Sequence, residues 1–251
     1  MDRNWSKERA DFKWPESFLG AVSLTFDDAR PSQIDNGMPV LNRYGLKASF
    51  YVSLDRLMPM REHWQEVAGF GHEIGNHTLN HPCSGNFDFS RERALEEYSL
   101  AQMDDELTRS DSLIEEALDV VPRTFAYPCG QTYVGRGSRT ESYVPLIAQR
   151  YLAGRVYMSE TCNVPGFLDL AQLFAFPFDT APLEVMIGLI EAAVDEGGWI
   201  IFCGHDVGLG GSQSIDTAKL EQVCDYLVEH RTTIWTDTVC SIAEYVRNYR
   251  F

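Results

Sequence analysis

Positive charge is what this chain is short of. Lys and Arg number 21 against 37 Asp and Glu, a formal net charge of −16. Holding a phosphate backbone takes clustered Lys and Arg, so nucleic acid is excluded as a partner. A polyanionic ligand is disfavoured unless a local basic pocket overrides the global charge. A neutral or weakly cationic substrate fits best. No CxxC pair occurs, and Cys83, Cys129, Cys162, Cys203, Cys224 and Cys240 are scattered. Dense disulfide scaffolds are thereby set aside, and the cysteines read as small buried apolar residues. No apolar run reaches the length of a membrane span, and the first eight residues lack a signal-peptide core. The expectation is a soluble, cytoplasmic protein with no membrane partner. Repeats, low-complexity tracts and linkers are also missing. That leaves one domain over residues 1–251, with 1–18 as a packed extension carrying Trp5, Phe12, Trp14 and Phe18.

What is present is a core and a rhythm. Hydrophobic residues make up 44% of the chain, too many for a disordered one. Short apolar runs at 21–26, 48–52, 73–76, 123–126, 151–156, 173–176, 199–203 and 233–235 read as buried strands. Helical spacing appears between them at 31–44, 62–70, 90–118, 141–150, 182–196 and 216–230, and after the last of them toward the C-terminus. Gly45 is placed to stop the first helix. The acids and arginines of 90–118 read as a solvated face. Strand–helix alternation of this kind predicts a parallel sheet covered by helices.

Polar residues gather at the strand ends. Asp27-Asp28 closes the first strand, His77 follows the third, Pro128 breaks the one at 123–126, and His205 follows 199–203. In parallel α/β folds that carboxyl-terminal rim is where chemistry collects. Two adjacent buried carboxylates need a cation or hydrogen-bond partner. His77 and His81, four apart, would share a face if His77 opened a helical turn. With Asp28 they form a 2-His-1-carboxylate set that leaves positions open for water and substrate. Asp27 is then free to act as base on a metal-bound water. His205 suits a general acid. His72 reads as structural, and His63 and His230 as ordinary helix residues.

These residues carry a resemblance. Leu24-Thr25-Phe26-Asp27-Asp28 and Gly71-His72-Glu73-Ile74-Gly75-Asn76-His77-Thr78-Leu79-Asn80-His81-Pro82 resemble the first two motifs of the NodB-homology polysaccharide deacetylases, carbohydrate esterase family 4. The likeness implies a distorted (β/α)7 barrel and one divalent metal ion, Zn2+ foremost, with Co2+, Ni2+ or Mn2+ compatible. It implies hydrolytic removal of N-acetyl groups from an amino sugar, oligosaccharide or polysaccharide, an acetylated carbohydrate being the partner. Asp27 would be the base, Asp28, His77 and His81 the ligands, and His205 the acid. Phe125-Ala126-Tyr127-Pro128-Cys129-Gly130 falls on the third motif, implying substrate and oxyanion contacts from Tyr127, Pro128 and Cys129. Ala126 stands where many members have the Arg that orients the catalytic Asp; Arg155 is the candidate substitute, with a surface salt bridge as its other reading. The fourth-motif Asp that tunes the histidine has no clear match; Asp179 and Asp237 are the stand-ins. Cys83, Cys129 and Cys203 lie beside motif positions, with a thiolate ligand as the alternative to plain burial. An O-acetyl esterase, a non-sugar amidase and a catalytically silent carbohydrate-binding relative are the competing functions.

Overall fold

The computed structural model describes residues 12–250. Its first strand, β1 (Gly20–Asp27), is buried along its whole length. Around it lie β2 (Ser49–Val52), β3 (Glu73–Asn76), β4 (Thr124–Ala126), β5 (Ala153–Arg155), β6 (Phe176–Pro177) and β7 (Trp199–Gly204). All pair in parallel, in the order β5-β4-β3-β2-β1-β7-β6. The segment before β6 also bridges the far edge, Leu173 pairing with Arg155. The seven strands thereby curl into a distorted (β/α)7 barrel, as expected. An eighth strand, β8 (Ile234–Thr236), pairs only with Gly20, Ala21 and Val22 at the foot of β1. Trp14 and Phe18 pack on Trp235 there; Trp5 lies outside the described residues.

Alternation along each strand sorts the side chains. Val22, Leu24, Phe26, Phe50, Val52, Ile74, Ile200 and Phe202 join the apolar layer beneath the helices. Their neighbours point into the barrel. That interior is unusually polar. Glu73 is bonded by Ser49, Thr124 and the Cys240 N–H, Thr124 reaches the Tyr51 hydroxyl, and the Arg155 guanidinium lies 5.0 Å over the Tyr51 ring. Gly75 leaves room for that ring, since a Cβ there would sit 2.5 Å from Tyr51. A column of paired polar groups thus climbs from the foot of the barrel to Asp27.

Helices α1 (Met38–Tyr44), α2 (Arg61–Gly69), α3 (Leu100–Leu118), α4 (Val144–Arg150), α5 (Leu183–Asp195), α6 (Thr217–Glu229) and α7 (Val239–Arg250) cover the strands. Gly45 ends α1 in the left-handed conformation, as its position predicts. The predicted start of α1 is instead a π-helical turn, Gln33–Gly37. Its Gln33 amide donates to the carbonyls of Asp27 (2.6 Å) and His205 (2.8 Å), joining two strand ends. The helix expected from 90 begins only at Leu100, where Ser99 and Gln102 form a capping box. Its acids are not all solvated. Glu106 is buried and accepts the N–H groups of Leu79 and Asn80. Pro145 sits in the first turn of α4, where a missing N–H costs nothing. Among the described residues no helix is long and apolar enough to cross a membrane.

Candidate metal and catalytic centre

β1 delivers Asp27 into the barrel and turns at Asp28, which takes φ 76° while its N–H donates to Tyr51 O. The two carboxylates part company there. Asp28 Oδ1 lies 3.6 Å from His77 Nε2 and 3.4 Å from His81 Nε2, and Oδ2 is held by Arg30 at 2.9 Å and Arg56 at 3.4 Å. The three ligand atoms fall within 4.8 Å of one another. Burial alone would raise the Asp28 pKa, yet His77, His81, His205 and Arg30 drive it far below the usual carboxylate range. Burial and the neighbouring His77 push His81 down to about 4, so its ring is neutral at pH 7. His77 donates its Nδ1–H to Ala126 O at 2.8 Å, which aims Nε2 at Asp28. An anionic oxygen and two imidazole nitrogens, that of His77 aimed by its Ala126 bond, fit a divalent cation.

The histidines meet by a different route from the one expected. Residues 77–81 are not a helical turn: Thr78 and His81 have φ of 68° and 49°. The two rings approach edge-on, with centroids 4.7 Å apart. Asn76 Oδ1 accepts the Thr78 N–H, and Glu106 takes the next two, so side chains rather than a helix ladder satisfy this backbone.

Asp27 is buried against the Arg155 guanidinium, with Cys203 Sγ donating to Oδ2 at 3.3 Å. Arg155 itself is fully buried. Strand register explains the pairing, since Ala126 and Arg155 are partners across β4 and β5. A guanidinium missing from position 126 therefore arrives from the next strand at the same height. Burial works against the Asp27 charge, but Arg155, His77 and His205 outweigh it and lower the pKa.

Across the same cleft His205 donates Nδ1–H to Asp179 at 2.7 Å, and its backbone N–H goes to the other Asp179 oxygen. Burial disfavours the imidazolium, but Asp179, Asp27 and Asp28 together raise the His205 pKa. Asp237 lies at the foot of the barrel, beside β8 and bonded to Ser23, and is remote from this histidine. On the third-motif turn, the Tyr127 N–H is spent on Arg155 O and Pro128 has none to give. Cys129, at φ 53° on the cleft wall, is the position left to present a backbone donor.

Cys129 is also not a plain buried cysteine. It is joined to Cys83 in a disulfide, correcting the expectation of free thiols at both positions. The bond ties the loop after His81 to the Cys129 turn, a long-range link that scattered spacing does not reveal. Cys162, Cys203, Cys224 and Cys240 are free. His72 accepts the Ala48 N–H and contacts Asn42, a structural arrangement.

These groups line one cleft of about 680 Å3, which also takes in Arg30, Arg56, Phe87, Phe89, Tyr157 and Gln213. Sequence reasoning missed all six. Arg30 bridges Asp28 to Asp206 (2.6 Å), coupling the first strand end to the His205 segment; the Asp28-x-Arg30 and His205-Asp206 pairs were the available signal. Phe87 and Phe89 are exposed, 5.5 Å apart, with Phe89 6.1 Å from His81. The Phe87-x-Phe89 pair closely following His81 in the chain was the available signal.

Residues 19–141 match the family model described as polysaccharide deacetylase. The chain is 25% identical over 267 aligned residues to a gellan lyase of Bacillus sp, covering 96% of this chain and 10% of that protein. It thus spans about a tenth of the length of that curated relative. A solved structure described as a polysaccharide deacetylase of Mycobacterium smegmatis superposes with TM-score 0.70 at 17% identity, over 96% of this chain and 94% of that one. The peptidoglycan deacetylase PdaC of Bacillus subtilis gives 0.53 at 18% identity, over 92% and 93%.

Proposed function

We propose, from the premise that this chain is a polysaccharide-deacetylase-family protein, that it is a metal-dependent hydrolase removing N-acetyl groups from an amino sugar within an oligosaccharide or polysaccharide. The observation that carries the reading is the convergence of Asp28, His77 and His81 with the Asp27–Arg155 and His205–Asp179 pairs around one cleft. Asp28 Oδ1 and the Nε2 atoms of His77 and His81 would hold the ion. When bound, a divalent ion such as Zn2+ polarises a carbonyl and makes a water acidic enough to attack near neutrality.

The remaining work belongs to the protein. Arg155 fixes one Asp27 oxygen and leaves the other turned toward His77, 3.9 Å away, where it can accept the proton of the attacking water. A carboxylate held this weakly basic takes a proton only from an acidified water. The Cys129 N–H is the backbone donor toward the oxygen that becomes negative during attack. His205, whose pKa Asp179 helps to raise, gives its proton to the departing nitrogen. That step favours an amide over an ester, because an amine leaves only once it is protonated whereas an alkoxide is the better leaving group. Phe87 and Phe89 offer flat apolar faces against which a sugar ring can lie.

Metal analysis with acetate release from a panel of acetylated sugars tests the reading. Purified protein should hold about one divalent ion per chain, as a single three-ligand site requires. Asp27→Asn should abolish release while keeping the ion. An ion-free protein, or wild type as inactive as Asp27→Asn on every substrate, would leave a carbohydrate-binding relative instead.

A further inference from the structure

His81 stands between two sets of donors. Its Nε2 faces Asp28 Oδ1 at 3.4 Å, and its Nδ1 lies 3.7 Å from Cys83 Sγ. The ligand atoms of His81, Cys83 and Cys129 all fall within 4.8 Å of one another, a second cluster sharing one residue with the first. The disulfide masks it, because a thiolate and not a disulfide sulfur is the metal ligand. Cys83 and Cys129 have Cα atoms 6.0 Å apart. Two sulfurs on one tetrahedral zinc stand about 3.8 Å apart, a separation that side-chain rotation reaches from these Cα positions. Cys129 and His81 both line the cleft, so an ion has a route in.

We propose that reduction of Cys83–Cys129 creates a second, soft-metal site from the two sulfurs and His81 Nδ1, which competes with Asp28 and His77 for His81. The chemistry balances simply. A dithiol or phosphine supplies two electrons, the S–S bond breaks, and two thiols form. An ion entering the site displaces both thiol protons, while the ring proton moves from Nδ1 to Nε2. A neutral imidazole offers one lone pair, so His81 serves one ion at a time. With the sulfur site filled, the other set is left with Asp28 and His77 alone. Sulfur ligands select Zn2+, Cd2+ or Cu+ over harder ions. Disulfides persist in oxidising compartments and give way in reducing ones, so the compartment would decide which set His81 joins.

Two probes test this on the full chain, and neither depends on deacetylation. Co2+ added to the disulfide form should give no thiolate-to-cobalt charge-transfer band. The phosphine-reduced form should give one that saturates at one ion per chain, and Cys83→Ser/Cys129→Ser should lose it. In reduced wild type, Cd2+ should slow alkylation of Cys83 and Cys129 at least tenfold, read by peptide mass, with no variant needed. A reduced chain without the band, a band unchanged in the double variant, or equal alkylation with and without Cd2+ would each overturn the proposal. Failure of the hydrolase reading shows separately, as a disulfide form that binds no cobalt at all.

Discussion

Replacing Arg155 by Ala would strand the Asp27 carboxylate inside the barrel. Arg155 is fully buried and the Asp27 side chain only 7% exposed, so solvent cannot take over the charge. Removing one member of such a pair costs about 3–5 kcal/mol, mostly the penalty of the orphaned ion. For 251 residues the unfolding entropy is about 0.5 kcal/mol/K, which converts that loss into a melting point lower by about 6–10 °C. Pairing depresses the folded Asp27 pKa, so its stabilisation is present above the unfolded value and lost as pH falls through the folded one. The destabilisation of Arg155→Ala should therefore be largest near neutrality and shrink in acid. Thermal melts of wild type, Arg155→Ala, Asp27→Asn and Asp27→Asn/Arg155→Ala complete the cycle. The double variant should recover at least about 2 kcal/mol relative to the sum of the singles, since an amide beside an apolar chain carries no orphaned charge. Acetate release should fall in all three variants with metal content unchanged in Arg155→Ala. Additive single effects, or an Arg155→Ala protein melting like wild type, would refute the argument that this pair is a buried, coupled unit.

Three further perturbations have outcomes set by the geometry. Asp179→Asn should move the alkaline limb of kcat/KM down by about one pH unit, because an opposite charge at contact raises a histidine by at least that much. The same variant should melt lower below pH 6.5 and converge on wild type as pH rises through the raised His205 value, since a group with a raised folded pKa stabilises on the acid side. Reduction without added metal should cost about 4 kcal/mol, the loop-closure value for the 46-residue separation, read as a shift in urea unfolding with and without phosphine. Phe89→Ala should raise KM several-fold with kcat nearly unchanged if its ring serves only binding.

The strands and most helices were legible because burial repeats along them: period two inside the barrel, three to four beneath it. Asp27, Asp28, His77, His81 and His205 were legible because each follows a strand, and the sheet brings strand ends together. Asp27 and Arg155 lie 128 residues apart; the family likeness named Arg155 as a candidate, and the register of β4 with β5 gives the physical reason that it reaches Asp27. The rim itself has no period. The path from His77 to His81, the wide turn at Gln33 and the Cys83–Cys129 bond are fixed by side chains reaching into irregular backbone. Glu106 was misread for the same reason. Its helix face looks solvated until the loop it supports is in place.

Eight non-glycine residues among those described have positive φ: Asp28, His81, Cys129 and Met158 line the cleft, Ala29 and Thr78 adjoin it in the chain, and Glu16 and Asp119 lie elsewhere. Left-handed backbone costs an ordinary L-residue about 1–2 kcal/mol, so the cost of the fold is concentrated where the site is. Evolution acts on that unevenness. Selection for endurance alone rewards glycine at Ala29 or Thr78, which takes the same left-handed angle without the steric cost. Glycine at either position would therefore raise the melting point while leaving Asp27, His77 and His205 in place, so the rim holds stability that the chain has not taken up.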